Sequence, residues 1–448
     1  MLTVTEAQER VSHLVESAKK AGADTSDALY SGGVSTEVQI RLGELEDVER
    51  SEGEEIGLRF FIGKQSASVS SSDLSDDALA VLVERAAAMA REAPEDQYAG
   101  LAPEEMLFRG ASPQLDIDDG GDGDPEALRD RALAAEDAAR AVKGVTNSEG
   151  GGASAGRSIM ALATSHGFCS GYQATSYGCS ASVIAGEGSG MQRDYAYRTS
   201  RHLADLDSAE SIGRRAGERT VGRLNPAKLP SGSMPVAFDP RVSGGLLGHL
   251  IGAITGSSIT RGTSFLRDSL EEQIFASGIA VHDDPLRKRG LRSRPFDGEG
   301  LPVSDRKIID DGMLTGWLLD SASARQLGLQ PTGNAKRGIG GPPSAGTTNL
   351  HLEAGALSRD ELIADIARGV LVTELIGHGV NPVTGDYSRG ASGFLIENGA
   401  IGAPVAEITI AGNLKDMFRE LTPANDLEFI HGINAPTVRI EGLTVAGA

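Results

Sequence analysis

The chain reads as an α+β protein. An N-terminal α/β domain with an antiparallel sheet and flanking helices precedes a C-terminal β-rich domain with isolated helices. Three observations predict this. Helical-period and alternating segments interleave through the first half. The long helices thin out after Asn225-Pro226 and Pro230, which places the boundary between residues 1–225 and 226–448. Glycine fills 58 of 448 positions, yet hydrophobic residues still reach 40%, enough to build real cores.

The first helix carries Ala7, Val11, Leu14, Val15 and Ala18 at helical spacing, with Thr5 as its cap and Gly22 as its end. After a turn at Ser31-Gly32-Gly33, the residues Val34, Thr36, Val38, Ile40 and Leu42 share one parity. Ile56, Leu58, Phe60 and Ile62 do the same, as in a half-buried antiparallel sheet. A second helix follows Ser75, with Leu79, Leu82, Val83, Ala86 and Met89 facing inward. Residues 93–124 form a long connection punctuated by Pro94, Pro103 and Pro113. The third helix covers about 125–142, with Asp124 as N-cap and Pro125 at its first position. A Gly-rich turn, Asn147 to Gly152, leads into strands near 157–185, and a helix at about 208–224 ends the domain. Beyond the boundary, helices are expected at 240–254 and at 358–371, where Ser358 can cap and Asp360 and Glu361 fill the first turn.

Charge excludes some functions. Lys and Arg number 42 against 63 Asp and Glu, a formal charge of −21, so a broad nucleic-acid surface would meet repulsion. The most basic stretch, Arg287 to Arg294, is short, lacks interleaved aromatics and reads as a solvated loop. No apolar run approaches a membrane span, and the N-terminus has no signal-like pattern, so a cytoplasmic protein is expected. Cys169 and Cys179 give no disulfide framework. If both lie on strands they share parity, and a bond between them is possible but not favoured in a reducing compartment.

Several motifs fail on inspection. Asp116 to Asp124 suggests a calcium loop, but Gly120 and Ala127 stand where the EF-hand pattern needs oxygen ligands. Gly152-Ala153-Ser154-Ala155-Gly156 matches the nucleophile elbow without a strand before it and a helix after it, so a tight turn is expected. Gly338-Ile339-Gly340-Gly341-Pro342-Pro343 begins like a dinucleotide loop, but Pro343 takes the third glycine position and offers no N–H. His249, at the edge of the Val242, Leu246, Leu250, Ala253 stripe, reads as a packed residue.

Three longer segments are more specific: Glu374 to Val380, Thr384 to Phe394, and Ile408 to Met417. With Arg41 to Glu46, Arg193 to Tyr197, Phe296 to Gly300 and Asp311 to Leu319, they resemble the TldD/PmbA family, and specifically its PmbA (TldE) branch. The resemblance spans essentially the whole chain. It implies a two-subunit peptidase in which a TldD partner carries an HExxxH helix and a C-terminal cysteine that hold zinc. It also implies unfolded or extended peptides as substrates, as in peptide-antibiotic maturation and antitoxin turnover.

In this chain the corresponding window is Gly244-Gly245-Leu246-Leu247-Gly248-His249. By the resemblance, Gly244 stands where the first ligand belongs and Gly245 where the base belongs. One imidazole falls short of the three protein ligands of a catalytic zinc, so the chain is expected to hold no cofactor and no catalytic residue of its own. The expectation is a non-catalytic subunit that forms a heterodimer with a TldD-like chain, or a homodimer alone. Asp386, Tyr387, Ser388, Arg389, Gly390 and Phe394 are candidates for peptide contact by strand addition. Two rival readings are a self-sufficient hydrolase with an unrecognised site and a gyrase-modulating binding protein. Neither requires direct DNA contact.

Overall fold

The computed structural model describes residues 1–447. Its first half is built on six strands: β1 (Thr25–Arg41), β2 (Glu44–Ile62), β3 (Gln65–Ser71), β4 (Val145–Thr164), β5 (Cys169–Ala185) and β6 (Gln192–Ser200). They form one antiparallel sheet in the order β3-β2-β1-β4-β5-β6. Four helices cover it: α1 (Val4–Lys20), α2 (Asp76–Glu92), α3 (Pro125–Arg140) and α4 (Ala209–Gly222). Ala28 and Tyr30 pack with α1 and α2, while Val38 and Ile40 pack with α3. These positions share strand parity, so the helices sit over two halves of the same face.

The helices begin where their caps dictate. Thr3, not Thr5, caps α1: its hydroxyl accepts from Glu6 N while the Glu6 carboxylate accepts from Thr3 N at 2.7 Å. Asp124 caps α3 with Pro125 following, as expected. On α2 the buried stripe runs through Ala86, Ala87 and Ala90, which leaves Met89 49% exposed.

The glycine-rich segments depart from expectation. Ser31 to Gly33 lies inside β1, and Asn147 to Gly156 lies inside β4, so neither is a turn and the GxSxG match is mid-strand. At Gly151 a Cβ would collide with the Ala132 carbonyl of α3. Glycine there permits close helix–sheet approach rather than a reversal of the chain. Cys169 and Cys179 both lie on β5, ten residues apart, about 33 Å along the strand. That separation excludes a disulfide between them.

The sheet's second face is also buried at one end. Leu29 and Leu162 pack with Phe168, Phe296 and Leu301, and with Ala102 and Leu107 of the long connection. Ser26 to Tyr30 and Ile56 to Phe61 are therefore buried continuously rather than on alternate residues.

The second half contains, in chain order, β7 (Gly232–Phe238), α5 (Pro240–Ile254), α6 (Gly256–Thr260), β8 (Val281–Asp283), β9 (Arg306–Asp310), β10 (Met313–Leu314), α7 (Ser321–Leu327), β11 (Ala335–Lys336), β12 (Ser344–Ala345) and β13 (Leu350–Leu352). It continues with α8 (Arg359–Ile363), β14 (Arg368–Ile376), β15 (Asp386–Glu397), β16 (Ala400–Asn413), α9 (Leu414–Arg419), β17 (Thr422–Pro423), β18 (Ile433–Asn434) and β19 (Val438–Ala446). Strands β16-β15-β14-β7-β19 form a sheet that closes when β16 pairs back onto β19, giving a barrel. A smaller sheet orders β10-β9-β8-β13-β18, and β11 and β12 form a two-stranded ribbon. One large core, including Val236, Phe238, Leu250, Phe275, Phe418 and Ile440, joins barrel and helices.

The helix expected over 358–371 is only the five residues of α8, with the Ser358–Glu361 capping box in place. The rest becomes β14. Its Val370 and Val372 pair in parallel with Val236 and Phe238 of β7, and tertiary pairing overrides the helical start signal.

Candidate functional site

The candidate site is built on α5. Asp239 caps it, accepting from Arg241 N at 3.0 Å, and Pro240 occupies its first turn. Leu246, Leu247, Leu250, Ala253 and Ile254 bury one side. A second tie comes from the first domain: Asp194 accepts from Arg241 Nη2 at 2.6 Å, and the Arg241 guanidinium lies 5.2 Å from the Tyr195 ring centre. Asp194 is 3% exposed and also pairs with Arg223. Burial pushes its carboxyl up, but the hydrogen bond and charge of Arg241 outweigh that and hold it low. The Arg193 to Tyr197 segment therefore anchors the N-terminus of α5.

On α5 the three window residues differ. A Cβ at Gly244 would meet the Ile433 carbonyl at 3.4 Å, an ordinary contact, whereas one at Gly245 would meet nothing within 4 Å. His249 stands edge-on to Tyr387, with ring centres 6.0 Å apart at 81°. Burial first, and the Arg389 charge second, lower its pKa, which favours the neutral imidazole.

The expected peptide-contact residues form one strand. Asp386 is exposed and accepts from Thr384 Oγ1 at 2.6 Å and Asn413 Nδ2 at 3.1 Å; these bonds keep its carboxyl low. Tyr387 is 2% exposed, and its hydroxyl has no hydrogen-bond partner among the described residues. Burial pushes this phenol up to about 12. Ser388 is exposed, and Arg389 Nε donates to the Ile376 carbonyl at 3.3 Å. Gly390 pairs with Ile376 on one side and Thr409 on the other. Phe394 is half-buried, facing Gly222 at the end of α4.

Strand addition at this segment is closed. β15 is flanked by β14 and β16, and before β14 begins to pair, Gly379 and Val380 cover Ser388 and Tyr387, with Ser388 N donating to Gly379 O at 2.6 Å. A peptide arriving here would meet the side chains of Asp386 and Ser388 instead of a free backbone edge.

The donor set does not fit a catalytic zinc. Two of the three window positions are glycines, and His249 faces a phenol rather than a second ligand. His282 and His431 are engaged elsewhere: His282 stacks on His351 at 5.2 Å and bonds Glu353 at 2.6 Å, and His431 packs against Tyr197. Among the described residues, no three His, Cys, Asp or Glu side chains converge at metal-binding spacing.

Sequence reading missed a second concentration of chemistry, at the seam between the halves. Asp27 of β1 accepts from Arg59 Nε at 3.0 Å and pairs with Arg337 at 2.6 Å, with all three side chains nearly inaccessible. Nearby, Glu299 is 4% exposed and accepts from the backbone and hydroxyl of Ser321, each at 2.8 Å. Burial, then the Asp297 charge, raises its carboxyl to about 7. The Gly338-Ile339 turn packs on the same face, where a Cβ at Gly57 would collide with the Ile339 carbonyl. Arg59, a cation set between Leu58 and Phe60 in an otherwise apolar run, was the signal available in the sequence.

An α+β body joined to a closed barrel, with Gly244, Gly245 and His249 along α5, sets the class of fold. Comparison with known proteins gives the family. Residues 26–90, 118–224 and 231–447 match the models of PmbA/TldA metallopeptidase domain 1, central domain and C-terminal domain. The chain belongs to the PmbA/TldD family. It is 40% identical to the metalloprotease PmbA of Escherichia coli O157:H7 over 98% of this chain and 96% of that one. It is 37% identical to the PmbA homologue of Haemophilus influenzae over 99% and 96%. A Bacteroides thetaiotaomicron crystal structure, named as a suggested modulator of DNA gyrase, superimposes with a TM-score of 0.92 at 27% identity, covering 100% of both chains. TldE of Thermococcus kodakarensis shares the fold, with a TM-score of 0.87 at 23% identity over 97% and 99%.

Among the described residues, no helix is long and apolar enough to cross a membrane.

Proposed function

We propose that this chain is the non-catalytic, TldE-type subunit of a cytoplasmic two-subunit peptidase, pairing with a TldD-like chain that carries the zinc. The observation that carries the reading is the α5 window: glycine at 244 and 245, and an aromatic-packed His249 whose pKa burial lowers. Nothing in that set can ligate a metal and activate a water together. The family membership supplies the metallopeptidase context, and a shared fold presents a similar surface for pseudo-symmetric pairing. Extended peptides are the proposed substrates, with Asp386 and Ser388 offering exposed polar side chains on the face of β15 opposite Tyr387.

The test is reconstitution. Purified chain, purified TldD homologue and their mixture are assayed for zinc content and for cleavage of an unfolded peptide. Cleavage confined to the TldD-containing samples, increased by this chain, with zinc only in the TldD homologue, is the expected result. Stoichiometric zinc with peptidase activity in this chain alone would overturn the reading.

A further inference from the structure

The basic stretch Arg287 to Arg294 is only partly solvated: Lys288, Arg289 and Arg292 are exposed, but the arginines are held by specific contacts. Arg287 stacks 3.3 Å from the Phe429 ring centre, and Arg289 bonds Asp116 at 2.6 Å and Asp205 at 3.0 Å. Arg292 and Arg294 line a cavity of about 230 Å³ at the seam between the two halves. Lys336 of β11 and the adjacent Arg337 line it as well, so four cations face one space.

Their countercharges fall short. Arg337, its side chain 1% exposed, pairs with Asp27, but Asp27 is shared with Arg59, and Nε and Nη2 of Arg337 have no hydrogen-bond partner among the described residues. Arg294 Nη1 donates to the Ala335 carbonyl at 2.9 Å, while its Nε and Nη2 are likewise without partners. Asp297 is the one carboxylate in the lining, and its oxygens already accept from the backbone of Glu299, Leu301 and Ala335. Burial, then repulsion from Arg292 and Arg294, lowers the Lys336 pKa against the opposing pull of Asp283. Buried donors of this kind require an acceptor, which water or a ligand entering the cavity can supply.

The opposite wall is apolar, formed by Leu29, Leu162, Tyr172 and Phe296. The volume gives room for a residue-sized acid. We propose that this cavity binds the free carboxylate of an N-acylated apolar residue, the chemistry of a peptide C-terminus. Planar guanidinium groups suit a carboxylate, and the apolar wall suits its side chain. A free amino acid is disfavoured, because the same cations repel its ammonium group. The site lies within this one chain and does not depend on the partner-subunit reading.

The test is calorimetric titration of the full chain with N-acetyl-phenylalanine, N-acetyl-phenylalanine amide, free phenylalanine and inorganic phosphate. The acetylated acid is expected to bind at least about tenfold tighter than the other three, the weight of one charge-assisted hydrogen bond. Arg294→Gln is expected to weaken it by a similar factor. Lys336→Gln, at the edge of the cavity where the residue also meets solvent, supplies a second variant that keeps the fold, with a smaller loss expected. The proposal is overturned by absence of saturable binding, by equal affinity for acid and amide, by phosphate or free phenylalanine binding as tightly, or by affinity unchanged in both folded variants.

Discussion

The α5 window and the domain seam are opposites. At the window there is space and little chemistry: Gly245 faces open room, and His249 packs on a phenol. At the seam there is chemistry and little space: Asp27, Arg59, Arg337 and Glu299 are all buried, and Gly57 has no room for a methyl group. The family motif points to the window. The ionisable groups that a fold must work to keep buried lie at the seam. A helix with glycine at 244 and 245 thus coexists with a charged interior elsewhere.

The contrast can be broken most forcefully at Asp27. Asp27→Ala strands Arg59 and Arg337 without their shared anion and should cost about 3–5 kcal/mol of stability, read as a drop in urea midpoint. A loss below about 1 kcal/mol, the range of an exposed pair, would show that the seam is wet.

Glu299 tests the same region by pH. Its folded carboxyl is raised to about 7 from an ordinary 4.5, so the folded state holds the extra proton between those values. Its contribution is fully present below the unfolded pKa and is lost as pH rises through the folded one. Relative to wild type, Glu299→Gln should gain about 2–3 kcal/mol between pH 4.5 and pH 8. A difference that stays flat with pH would remove the group from the account.

Gly57→Ala should cost about 1–3 kcal/mol by forcing the Ile339 turn off the sheet. Gly245→Ala is the matched control at the window and has the smallest effect. It should stabilise by about 0.5–1 kcal/mol, since helix propensity improves and nothing is displaced. A destabilised Gly245→Ala variant would mean that something closes over α5 in the isolated chain, such as a second copy.

Much of the fold was legible locally. The apolar stripes of α1, α3, α4 and α5 recur at helical spacing, and Asp124, Ser75 and Ser358 cap where their side chains can reach backbone N–H groups. The glycines misled. Ser31 to Gly33 and Asn147 to Gly152 have turn composition, yet lie within strands of 17 and 20 residues. The reason is nonlocal, since the helix packed against Gly151 is what excludes a side chain there. In the site, the sequence aligned His249 and the 386–394 segment separately. Only the fold set His249 against Tyr387 and closed both edges of β15.

By itself, then, the sequence determined the α+β class, the family and the glycines in the α5 window, because each is written in residue identity and short-range spacing. Tertiary structure decided where Asp27, Arg59, Glu299 and Arg337 meet. Those four are spread from β1 to the β11 ribbon, and their charges interact strongly only because folding removes the water between them.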